Sequence, residues 1–116
     1  MLERRFVILK DSEQIDQATL EYLRKMTKYI EEKTGKIPTE EKGGMLFTHL
    51  ALAISRHQKG ELCGDMDEMV KEQLEKKPLF CQAKNLWQEM SKACPINFAP
   101  QESDFMIMHL IAYLSD

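Results

Sequence analysis

The stretch that decides how this chain is read is Thr39 to Gly60, "TEEKGGMLFTHLALAISRHQKG". Thr39 is a residue type that accepts a hydrogen bond from the free amides of a first helical turn. Glu40 and Glu41 follow it, where the helix dipole favours negative charge. Apolar residues then recur at three- and four-residue steps, so the spacing predicts a helix running to about Lys59 and stopping at Gly60. The pair Gly43-Gly44 weakens its first turn, unless the missing side chains let a neighbour approach closely. Within this helix His49 and Arg56 are seven residues apart. Two turns separate them, so they stack about 20° apart around the axis, partly buried at the edge of the apolar stripe.

The same spacing returns near the end of the chain in "ESDFMIMHLIAYL", Glu102 to Leu114. Pro100 suits the start of this helix. His109 falls in the middle of its apolar face, between Phe105 and Ala112 on one side and Met106 and Tyr113 on the other. Met108 and Ile111 lie opposite, which makes the helix central or gives it an oligomer surface.

Working outward, Ile15, Ala18, Tyr22, Leu23, Met26, Tyr29 and Ile30 form one stripe on a long helix capped by Asp11 or Ser12 and stopped by Gly35 and Pro38. A short helix opens with the capping-box pair Asp65 and Glu68, and carries Met66, Met69, Val70 and Leu74. Pro78 fits the first position of another, whose stripe is Leu79, Phe80, Ala83, Leu86, Trp87, Met90 and Ala93, with Pro95 as its stop. "RFVILK", residues 5 to 10, has strand-like composition but no partner strand. It is expected to be an extended arm or part of the first helix. The fold class predicted is all-α, a compact five-helix bundle, with residues 1–10 as an N-terminal arm and residues 11–116 as one domain.

Composition sets the bounds. A chain of 116 residues supports a single hydrophobic core, and 43% hydrophobic with 30% charged residues is an ordinary globular balance. A net charge of −3 argues against a nucleic-acid-binding surface, and the lysines of "LRKMTK" and "KEQLEKKP" are interleaved with acids as on solvated helix faces. Cys63, Cys81 and Cys94 are odd in number and form no CxxC pair, which favours reduced thiols in a cytoplasmic setting over disulfides or a zinc site. The longest apolar run, "FMIMHLIAYL", has ten residues where a membrane span needs about 20. The methionines fall mostly on stripes assigned to the core, so they read as packing.

Taken together, "HLALAISR" and "ESDFMIMHL" resemble the two histidine signatures of the PTS regulation domain, PRD. This is the all-helical module of bacterial transcriptional antiterminators and activators controlled by the sugar phosphotransferase system. His49, Leu50 and Arg56 match the first signature; Glu102, Phe105 and His109 match the second. Thr48 stands where the family often has aspartate, and Asp104 where a small residue is usual. The resemblance covers residues 11 to 116 and corresponds to one copy. It implies a transcription-regulatory domain with His49 and His109 as phosphoacceptors, Arg56 and Glu102 in support, and HPr or an enzyme II component as donor. It further implies a homodimer in a bacterial cytoplasm. No cofactor, metal, membrane insertion or direct nucleic-acid contact by this chain is expected.

A neutral imidazole is nucleophilic near physiological pH, which gives the histidines a reason to be acceptors. The sequence places Arg56 beside a phosphoryl group on His49, and Glu102 with Phe105 and Tyr113 beside one on His109. The first site is then accommodating and the second disruptive. Three rivals are a scaffold module with structural histidines, an enzyme using His49, His109 and Glu102 as acid–base groups, and a metal binder. No nucleophile elbow, phosphate-cradling loop or metal-ligand cluster supports the latter two.

Overall fold

A computed structural model describes residues 2–61, 64, 66–94, 98 and 100–115. Six helices occur among them: α1 Leu2–Asp11, α2 Gln17–Thr34, α3 Glu40–Gln58, α4 Glu68–Glu75, α5 Phe80–Lys92 and α6 Pro100–Leu114. The all-α class holds, with one helix more than the five expected.

The extra helix is α1, and it replaces the expected N-terminal arm. Leu2 and Phe6, four residues apart, point the same way and are buried, while Val7 and Ile8 stay exposed. Phe6 sets its ring edge-on to Phe47 of α3, with centroids 5.8 Å apart. The glycine pair explains how α1 comes so close. A Cβ on Gly43 would lie 3.3 Å from the Pro38 Cβ and 3.5 Å from Leu2 Cδ1, and one on Gly44 3.5 Å from the Arg5 guanidinium. The helix does continue through both glycines. Outside this apolar contact, Arg24 of α2 donates two 2.8 Å bonds to Glu3, and Arg5 donates from Nε to Glu40 at 2.8 Å.

A separate α1 moves the start of the long helix. Its cap is Asp16, whose Oδ1 accepts from the Thr19 amide at 2.8 Å, not Asp11 or Ser12. Gly35 ends it at φ +71°, in the left-handed region where a Cβ would be strained. Thr39 caps α3 as expected, its hydroxyl accepting from the Lys42 amide. In α4 the cap is Asp67, which accepts from the Met69 amide; Asp65 and Cys63 lie outside the described residues. Only Met66 and Leu74 of the expected α4 stripe are buried, and Met69 and Val70 face outward. Pro78 sits in the turn before α5, which begins two residues later. Pro95 also lies outside the described residues.

Helix α6 packs most extensively against α5 and α3, while α1 and α2 pack on each other and on α3. Its C-terminal end is held by cations and a phenol. Lys36 Nζ donates to the Leu114 carbonyl at 2.7 Å, Lys42 Nζ reaches the Ser115 carbonyl, and Tyr113 donates to the Lys36 carbonyl at 2.7 Å. Tyr22 of α2 crosses to the Met90 carbonyl of α5, also at 2.7 Å. These bonds join helices remote in sequence around one apolar core. The Cα radius of gyration, 13.6 Å, agrees with the ~13 Å of a single compact domain of this length.

Candidate functional site

The two equal spacings have a common geometric cause. Helices α3 and α6 run antiparallel, so a step of seven residues forward on one matches seven back on the other. His49 therefore faces His109, and Arg56 faces Glu102. The two imidazole rings lie 4.7 Å apart between centroids, tilted by 37°. Arg56 donates from its terminal NH2 to Glu102 Oε1 at 2.9 Å. Phe105, one helical turn before His109, packs its ring 6.2 Å from that of His49. The two expected acceptors and the two expected supporting residues converge on the α3–α6 seam.

The pairing inside this cluster differs from the one inferred along each helix. Two turns of helix separate the backbones of His49 and Arg56, and of Glu102 and His109, by about 10 Å along the axis. The short contacts run across the seam. Glu102 Oε2 lies 3.4 Å from His49 Nε2, while Oε1 holds Arg56. The carboxylate thus stands against His49, where the spacing along α6 alone had put it with His109. Periodicity within one helix carries no information about which residue of another helix lies opposite.

Burial grades the cluster. The Glu102 side chain is 6% exposed, His49 23% and Arg56 33%, and His109 is half-buried. Nε2 of His49 is closed off from solvent, and its 3.4 Å separation from Glu102 exceeds the ~3.2 Å of a regular N–H···O bond. Nε of Arg56 is also buried and has no hydrogen-bond acceptor among the described residues. Burial holds the His49 pKa below the usual value of 6.5; Glu102 opposes that shift, and Arg56 adds to it. His109 is lowered as well, by burial first and by His49 second. Both rings are therefore neutral at pH 7, and a neutral imidazole keeps a lone pair on one nitrogen.

The first turn of α6 carries anchors that the sequence did not announce. Next to Glu102, Ser103 Oγ accepts from Trp87 Nε1 of α5 at 2.9 Å. Asp104 then meets Lys71 of α4 at 3.6 Å. Three successive side chains thus tie one turn to three other helices. On the opposite flank, Arg5 of α1 donates to Thr48 Oγ1 at 3.0 Å, one residue before His49. A serine and a threonine on a helix carry no distinguishing pattern, so only the three-dimensional arrangement reveals these links.

Among the described residues, no group of three or more His, Cys, Asp or Glu is placed to hold a metal ion. No helix among them is long and apolar enough to cross a membrane. Cys81 and Cys94 carry reduced thiols rather than a disulfide. A family model described as PRD domain matches residues 24–113. The chain belongs to the PRD family. PRD domains are regulatory rather than catalytic modules, serving transcription control by the sugar phosphotransferase system. His49, Arg56, Glu102 and His109 all lie inside the matched segment, whereas α1 and the first turns of α2 precede it. Neither curated proteins nor solved structures yield a match.

Proposed function

We propose that His49 and His109 of this PRD accept phosphoryl groups from a phosphohistidine donor of the phosphotransferase system, HPr or an enzyme II component. The observation that carries this reading is the pair of neutral, half-buried rings 4.7 Å apart on the α3–α6 seam. In the transfer, the unprotonated ring nitrogen supplies the electron pair of the new N–P bond. The donor's N–P bond breaks and its pair returns to the donor's ring nitrogen. The donor enters as a phosphoimidazolium and leaves as a neutral imidazole, while the acceptor does the reverse, so no proton is gained or lost.

The group brings about two negative charges and several acceptor oxygens to a seam that already holds a buried carboxylate. The seam answers by shifting α3 against α6, and the shift alters how the domain dimerises or engages its effector. The net charge of −3 fits a chain that regulates through other proteins and does not contact nucleic acid itself. On this reading the domain acts where these donors act, in a bacterial cytoplasm.

Incubation with phosphorylated HPr, followed by mapping of acid-labile phosphate by mass spectrometry, tests the reading. Phosphate is expected on His49 and His109 and lost site by site in His49→Ala and His109→Ala. Absence of phosphate from both histidines would overturn the proposal. The closure of His49 Nε2 favours a second reading, a scaffold domain whose histidines only pack. On that reading the two alanine variants change stability or assembly and leave no phosphate response to lose.

A further inference from the structure

The three anchors on consecutive residues of α6 suggest what a modified seam does next. Resting on the phosphoacceptor reading above, we infer that phosphorylation of His49 moves Arg56 from Glu102 to the phosphoryl group and releases the first turn of α6. Arg56 and Glu102 act as a positioning pair that turns a charge on one helix into movement of another.

The geometry gives each step a cause. Glu102 Oε2 is 3.4 Å from His49 Nε2, so a phosphoryl group on this ring arrives beside an existing anion. The Arg56 guanidinium is within reach of both, holds Glu102 through one NH2, and keeps a buried Nε with nothing to donate to among the described residues. A group with about two charges and several oxygens competes better for that fork than a carboxylate with one charge. Once the guanidinium turns, Glu102 faces the new anion across a short gap at 6% exposure, where water does little to screen the repulsion. Outward movement of Glu102 relieves it.

Movement of Glu102 cannot stay local. Ser103 and Asp104 belong to the same turn and hold Trp87 of α5 and Lys71 of α4. The Asp104–Lys71 contact is long and partly exposed, so it yields easily. The Trp87–Ser103 bond is the better detector. Trp87 is the chain's single tryptophan, buried, with its indole N–H bonded one residue from Glu102. A group on His109 would also lie near this cluster, since the two rings are 4.7 Å apart between centroids, so the exchange is tested with His109 removed.

The test is tryptophan emission of the full chain in the His109→Ala background, before and after incubation with phosphorylated HPr, with phosphate located by mass spectrometry. Phosphate on His49 together with a red shift and increased acrylamide quenching of Trp87 supports the exchange. Phosphate on His49 with unchanged emission overturns it and leaves the phosphoacceptor reading intact, as when Glu102 takes up a proton and stays in place. If no phosphate reaches His49, the phosphoacceptor reading fails there, and the charge mechanism is judged separately at pH 8. His49→Glu must then show the red shift and quenching, His49→Gln must not, and Glu102→Gln added to His49→Glu must restore the parent emission. Equal emission from His49→Glu and His49→Gln, with helicity retained by circular dichroism, would overturn it.

Discussion

Near the N-terminal end of α3, Arg5 meets Glu40 with both side chains 39% exposed; near its C-terminal end, Arg56 meets Glu102 with the carboxylate 6% exposed. Each pair joins α3 to another helix through the same two residue types. At the first, water and salt screen the charges, and the apolar contact of Phe6 with Phe47 underneath carries the attachment. At the second, no comparable solvent stands by, so the charges must be matched within the protein. The two ends of one helix therefore respond differently to change. One tolerates loss of a charge and is disrupted by loss of a ring, while the other is sensitive to any alteration of charge.

Substitutions can break or sharpen this contrast. The largest effect is expected from Phe6→Ala, which empties a fully buried site at the N-terminal end and costs about 3–4 kcal/mol in urea unfolding. A loss below about 1 kcal/mol would mean that α1 is not part of the cooperative unit. Next comes Arg56→Met, which leaves Glu102 buried without its guanidinium. Because Arg56 is itself a third exposed, the cost is set at about 2–3 kcal/mol, and Glu102→Leu added to it should recover most of that.

A smaller effect follows from pH. His49 and His109 bind protons less tightly in the folded protein than at the usual value of 6.5. Below that pH the unfolded chain binds more protons, so stability falls as the pH falls, until the folded-state rings are protonated too. Proton NMR titration should place both imidazole midpoints below 6.5, and a midpoint above it for either ring would contradict the burial described here. The smallest effect belongs to Glu40→Gln. Its melting temperature should drop slightly at low ionic strength and coincide with that of the parent in high salt, since the Arg5 partner keeps Glu40 ionised only through exposed contacts.

Legibility in the sequence followed the origin of each signal. Thr39, Gly35 and Pro100 mark helix ends through local backbone chemistry, and the structure uses all three. Helix α1 escaped because a ten-residue helix draws its stability from packing, and exposed Val7 and Ile8 blur the period that Leu2 and Phe6 would otherwise show. In α4, Met69 and Val70 have core composition and face outward, a choice made by tertiary packing. For the candidate site, the four residues expected there do meet on one seam, but their pairing could not be read. The repeated spacing of seven pointed to His49, Arg56, Glu102 and His109, but the antiparallel contact of α3 with α6 determines that Glu102 serves Arg56 and His49.

The close seating of α1 on Gly43 and Gly44 bears on how this domain would be cut for experiment. A fragment trimmed to the matched segment would start at residue 24, inside α2, and leave Leu2, Arg5 and Phe6 behind. The face of Phe47 would be opened to water, and the Thr48 hydroxyl, one residue before His49, would lose the Arg5 guanidinium that donates to it. The segment that the family model matches and the segment packed into this core are here two different lengths of polypeptide.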